Sequence, residues 1–224
     1  MKYLVANWKA QLSYDHVKSW VFEFKNKVKN DQEVLSKLES GLLSIIFCPS
    51  HQFILYLVDE FSKFKGVNVG SQNVSVVKKG KFTGEVTAES LDGLVDYSII
   101  GHSERRKHFN ENEQEIEIKM AMAAEHQIKT ILCIRNDKDV IYESAAIVAY
   151  EPETAIGSGA NADFEDVLAM KKLLDLPSSI PFLYGGSADS KNMSTYLKTN
   201  EIDGFLVGTA SLEPNEFFEM AKKM

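Results

Sequence analysis

Eight short apolar runs, separated by stretches with helical periodicity, leave this chain few folds to adopt. The runs lie at 3–7, 44–48, 67–71, 97–101, 130–134, 146–150, 181–185 and 204–207, and each is expected to be a β-strand. Several are apolar almost throughout, as strands buried on both faces should be. Between them, Val17, Trp20, Val21, Phe24 and Val28 recur on one helical face, and Ile116, Met120, Ala123 and Ala124 do the same later. Strand and helix alternating eight times admit an open doubly wound sheet or a closed barrel. Eight units in 224 residues favour the barrel, an α/β fold of the (β/α)8 kind. No linker, low-complexity tract or charge block divides the chain, so 1–224 is expected to be one domain. The connection 135–145 is compressed and leaves room for little more than a short helix or turn.

Hydrophobic residues make up 44% of the chain and charged ones 25%, enough for a sizeable core. The formal net charge of −7 argues against non-specific binding to nucleic acid or to an anionic membrane. No run approaches the roughly 18 apolar residues of a membrane span, and Met1 to Asn7 lack a signal-like apolar core. A cytoplasmic location is expected. The two cysteines, Cys48 and Cys133, sit inside apolar runs and are expected to be buried, reduced thiols.

Barrels of this kind carry their active groups at the C-terminal ends of the strands. The first strand ends in Asn7-Trp8-Lys9, and the fourth runs into His102-Ser103-Glu104. The sixth ends in Glu151-Pro152 before a loop of small residues that includes Gly157 and Ser158. The seventh leads to Gly185-Gly186-Ser187 and the eighth to Gly208-Thr209. A lysine, a histidine, a carboxylate and several Gly/Ser turns therefore converge on one rim. Glycine turns let backbone N–H groups approach a phosphate, and helix N-termini behind them add favourable potential. That is how an acidic chain can still hold an anion, with Lys9 as the added charge. A carboxylate can take a proton from carbon if a neighbouring carbonyl is polarised, and a neutral histidine at a helix start can polarise it.

At these blocks the chain resembles the triosephosphate isomerase family along nearly its whole length. The matching blocks are Ala6-Asn7-Trp8-Lys9, Gly70-Ser71-Gln72-Asn73, Phe82-Thr83-Gly84-Glu85-Val86, Ile100-Gly101-His102-Ser103-Glu104-Arg105-Arg106, Tyr150-Glu151-Pro152, Ala155-Ile156-Gly157-Ser158-Gly159, Tyr184-Gly185-Gly186-Ser187 and Asp203-Gly204-Phe205-Leu206-Val207-Gly208. The resemblance implies a TIM barrel that interconverts dihydroxyacetone phosphate and D-glyceraldehyde 3-phosphate through an enediolate. It implies Glu151 as base, His102 as electrophile, Lys9 stabilising developing charge, Asn7 binding and polarising substrate, and Glu104 behind the site beside Lys9. The resemblance implies the pairing of a glutamate base with a neutral histidine, the known arrangement of this family. Gly157, Ser158, Ser187, Gly208 and Thr209 would hold the phosphate, with Asn7 and Lys9 also touching the substrate. No metal or organic cofactor is implied. A homo-oligomer is implied, a dimer first and a tetramer as the alternative, with loop 73–85 reaching a partner's site through Thr83.

Three positions depart from the family pattern. Glu153-Thr154 replace two apolar residues after Glu151-Pro152, which would weaken loop closure and expose the enediolate to phosphate elimination. Thr209 replaces a glycine, and would be strained if its φ were positive. The stretch after Cys133 lacks the usual Gly-Glu and is shortened. The competing readings are a phosphosugar epimerase, which would explain the phosphate turns alone, and a barrel that has lost its activity.

Overall fold

A computed structural model of the chain describes residues 1–152 and 161–224. Eight parallel strands close a barrel in sequence order: β1 (Lys2–Asn7), β2 (Leu43–Cys48), β3 (Val67–Ser71), β4 (Tyr97–Ile100), β5 (Lys129–Ile134), β6 (Ile147–Tyr150), β7 (Phe182–Tyr184) and β8 (Gly204–Val207). The closing seam pairs Tyr3 with Gly204 and Ala6 with Val207. All eight expected strands are present, and their ends shift by one residue in several cases. Gly101 and Gly185 fall outside their strands; Gly101 has φ +75°, a conformation that turns the chain out of the sheet.

The helices are α1 (Tyr14–Asn30), α2 (Gln32–Glu39), α3 (Ile54–Phe61), α4 (Ala88–Leu91), α5 (Ser103–Phe109), α6 (Glu113–Glu125), α7 (Phe164–Leu174), α8 (Met193–Tyr196) and α9 (Pro214–Lys223). Alternate residues of each strand point to opposite faces, so the core has two parts. Val5, Ile46, Ile99, Ile131, Ala149 and Leu206 belong to one cluster, with Cys48 and Cys133 as free thiols in it. Leu4, Ala6, Ile45, Phe47, Val148 and Phe205 belong to the other, with the inner faces of the helices. On α1 the five expected residues are all buried. Aromatic rings knit α1 and α9 over the strands: Trp20, Phe24, Phe47 and Phe217 lie within 6.0 Å of one another, centroid to centroid.

One helical expectation is corrected. On α6 the buried face is Ile116, Lys119, Met120 and Ala123, and Ala124 is exposed. The i, i+3, i+4, i+7 spacing is kept, but its second member is a lysine, which an apolar pattern passes over. The compressed 135–145 stretch holds no helix; it folds around Asp139, which is 7% exposed and accepts from the Arg135 N–H at 2.8 Å and from its guanidinium. No helix among the described residues is long and apolar enough to cross a membrane.

Candidate active site

The C-terminal rim of the barrel opens into a cleft of about 620 Å³. Asn7, Lys9, His102, Glu151, Ser187, Gly208 and Thr209 all line it, so β1, β4, β6, β7 and β8 each deliver an expected residue. A shallower depression of about 900 Å³ runs along the outer side of α1, by Asp15, Lys18 and Phe22, away from every strand end.

Lys9 stands just beyond β1 with φ +50°, a left-handed backbone for a residue that is not glycine. Three contacts hold it there. Its N–H donates to Asn7 Oδ1 (3.2 Å), and its carbonyl accepts from Ser50 Oγ (3.1 Å) and Gln72 Nε2 (2.9 Å). Trp8 fixes the other side, its indole N–H donating to the Ser211 carbonyl at 3.1 Å. Lys9 Nζ meets Glu104 Oε1 at 2.6 Å, the neighbour that the family resemblance implies for it. A Cβ on Gly208 would sit 3.2 Å from Lys9 Cε, so a bare backbone there leaves the lysine its path.

His102 is the N-cap of α5, and its Nδ1 accepts the Glu104 N–H at 3.2 Å. A ring nitrogen that accepts carries no proton, so this assignment puts the hydrogen on Nε2 of a neutral ring. Nε2 lies 2.8 Å from Glu151 Oε1. Burial disfavours a charged ring, but the Glu151 carboxylate beside it offsets this and raises the His102 pKa in this resting arrangement.

Glu151 is 1% exposed. Its second oxygen, Oε2, accepts the Ser103 N–H at 2.9 Å. Burial alone would raise its pKa; the His102 ring, the Ser103 N–H and Lys9 together outweigh burial and hold it below the ordinary value. Both oxygens of the carboxylate are thus taken up by α5 and its cap.

Thr209 is not among the positive-φ residues and begins a 3-10 turn, Thr209–Leu212, so the feared strain is absent. Gly157, Ser158, Glu153 and Thr154 lie outside the described residues. Glu104-Arg105-Arg106 form more than a surface ion-pair network. The Arg106 side chain is 5% exposed, with Nε donating to the Gly101 carbonyl and Nη1 meeting Glu113. Sequence reasoning passed over Asn161, Lys191 and Glu216, which also line the cleft. Their one available signal is position, since they follow strand ends at some distance. Among the described residues no group of three or more His, Cys, Asp or Glu side chains is arranged to hold a metal ion.

A family model described as triosephosphate isomerase matches residues 2–224. Curated relatives carrying that same description match over nearly their whole length. One from Dictyoglomus turgidum is 30% identical, covering 99% of this chain and 98% of the relative. One from Finegoldia magna is 32% identical over 97% and 96%, and one from Clostridium tetani 30% over 96% and 93%.

Proposed function

The chain belongs to the triosephosphate isomerase family and has that family's enzymatic activity, and from that premise we propose which of its residues carry the reaction. The substrate is a triose phosphate. The observation that carries the assignment is the contact of Glu151 with His102 in a cleft that Lys9 also enters.

In this proposal Glu151 moves the proton between the two carbons. At rest each of its oxygens accepts from a protein donor, and to face the substrate carbon the carboxylate turns away from them. Leaving His102 and Ser103 removes what holds its pKa down, and burial then makes it a stronger base. The same movement relieves His102 of the carboxylate that raised its pKa, and frees Nε2–H to donate to the substrate oxygens. Lys9 stabilises the negative charge that develops there, Asn7 helps to bind and polarise the substrate, and Glu104 orients Lys9. Ser187, Gly208 and Thr209, with Gly157 and Ser158, bind the phosphate. The chain acts as one catalytic domain, supported by the pairing of β1 with β8.

A homo-oligomer, dimeric first, is part of the same proposal. Its support is loop 73–85, whose outer part, 78–85, is exposed and includes Thr83 and a phenylalanine, Phe82, that is 49% exposed. Thr83 would reach the partner's site. The epimerase reading has no counterpart for the joined His102 and Glu151.

The test is the rate of glyceraldehyde 3-phosphate isomerisation by the purified protein and by two variants. Glu151→Asp, which withdraws the carboxylate by about one methylene, is expected to lower kcat by roughly 100-fold. Glu151→Ala is expected to lower it by about 10²–10⁴-fold. A variant that folds and keeps wild-type turnover would remove Glu151 from the role of base.

A further inference from the structure

The connection from β7 to α8 is tied down at nearly every residue from Ser187 to Asn192. Asn192 Nδ2 donates to the Ser187 carbonyl at 3.0 Å, and Asn192 Oδ1 accepts the Asp189 N–H at 3.0 Å. Asp189 Oδ1 in return accepts the N–H groups of Lys191 (2.9 Å) and Asn192 (2.8 Å). From outside the connection, Glu216 in the first turn of α9 accepts the Ser190 N–H at 2.6 Å, and Lys223 Nζ donates to the Ser190 carbonyl at 2.5 Å. Side chains of Asp and Asn that bond back to nearby backbone fix a turn by themselves. The backbone of Lys191 is therefore held in place relative to Ser187.

The side chain of Lys191 is left out of this network. It is exposed, it lines the cleft, and among the described residues its ammonium has neither a hydrogen-bond nor an ion-pair partner. Asp189 and Glu216 line the same cleft, and an oxygen of each is taken up by backbone N–H groups. The other lysine of the cleft, Lys9, is paired with Glu104 at 2.6 Å. A phosphate dianion approaching a chain of net charge −7 meets a repulsive field overall. The Gly/Ser turns offer it partial charges on backbone N–H groups, whereas a lysine offers a whole charge and three donors on a flexible stem.

We propose that Lys191 is a further substrate-binding residue, whose ammonium, carried on the same tied connection as Ser187, attracts the phosphate dianion and pairs with it in the complex. The proposal rests on the isomerase reading of the cleft and separates two duties. Lys9, paired with Glu104, serves the reacting oxygens; Lys191 serves the phosphate.

The experiment measures binding of glycerol 3-phosphate, a phosphate monoester without the reacting carbonyl, by titration calorimetry. The proteins compared are the wild type, Lys191→Gln, Lys191→Arg and Lys172→Gln. Lys172 lies in the last turn of α7 and does not line the cleft, so its loss changes the net charge equally. Expected at about 10 mM salt is affinity about 3- to 10-fold weaker for Lys191→Gln, and close to wild type for Lys191→Arg and Lys172→Gln. The gap should close as salt rises to about 1 M, because the Debye length falls from about 30 Å to about 3 Å. In turnover of glyceraldehyde 3-phosphate the Lys191→Gln loss should appear as a raised KM, since the contact is made before the chemical step as well as during it. Wild-type affinity in Lys191→Gln at low salt overturns the proposal. So does an equal loss in Lys172→Gln, which would assign the effect to net charge, and so does a loss confined to kcat. Wild-type protein that bound glycerol 3-phosphate but did not isomerise would sink the isomerase reading, and the binding comparison would still decide Lys191.

Discussion

Gly185 shows how closely the resting base is fitted to the barrel. A Cβ there would lie 2.9 Å from Glu151 Cγ and 3.1 Å from the Tyr150 carbonyl, so the position has no room for a side chain. Gly185→Ala is expected to push Glu151 off His102, to lower kcat, and to destabilise the fold by about 1–3 kcal/mol of overpacking strain. Steady-state kinetics and urea unfolding of the variant check both; wild-type values in each would mean the carboxylate does not rest where described. Asn7, Lys9, His102, Glu104 and Glu151 were legible as residues because each stands at or just after a strand end, where the barrel's geometry gathers polar groups. Lys191 and Glu216 were not: Lys191 lies in the connection between β7 and α8 and Glu216 in the first turn of α9, and no periodicity encodes where such a connection or helix start returns to the cleft.

Between α5 and α6 a buried ion network does the work that apolar contacts do elsewhere. Glu111, 5% exposed, accepts from the Gly101 N–H at 3.2 Å and from Arg105 Nε at 2.6 Å, and pairs with Lys119. Lys119 in turn donates to Asn73 Oδ1 at 2.9 Å, tying α6 to the root of loop 73–85. Burial would raise the Glu111 pKa, but Lys119 and Arg105 outweigh it and lower it below 4.5. A carboxylate lowered on folding stabilises the protein above its unfolded pKa, and that contribution is lost as pH falls through the folded value. Glu111→Gln is therefore expected to cost about 3 kcal/mol near neutral pH, since it leaves Lys119 charged and buried without its partner. Its penalty should shrink as pH drops below 4.5, because the unfolded wild-type carboxylate then takes up a proton that the folded one still resists, and should be smallest once pH has passed the lower folded value. Unfolding free energies of the two proteins at pH 7 and pH 3 measure this; a gap as wide at pH 3 would contradict it. The strands and α1 could be read from sequence because apolar residues alone define them. The buried side of α6 could not, because charged partners allow Lys119 to occupy a core position. The shortened 135–145 stretch is likewise built on a carboxylate-centred turn, where Arg135 and Arg106 outweigh the burial of Asp139 and hold its pKa below the ordinary value.

At the scale of the whole molecule, the oligomer proposal and the closed barrel lead in different directions. Phe82→Asp would place a charge on the exposed end of loop 73–85, and is expected to shift sedimentation toward a single subunit and to lower activity per chain. An unchanged sedimentation coefficient together with unchanged activity would detach that loop from assembly. Closure itself concerns a single chain. Lys2 Nζ reaches the Ile202 carbonyl across 200 positions of sequence, and β1 finds its second neighbour only in β8. A ribosome adding about 5–20 residues per second needs roughly 10–40 s to cover that distance. Throughout that interval the nascent chain carries one strand edge whose N–H and C=O groups have no partner, the kind of edge to which other chains adhere. Translation speed and chaperone supply therefore bear on the yield of this enzyme through its seam, and slowing elongation in a chaperone-free extract should lower the soluble fraction, which added chaperone should restore.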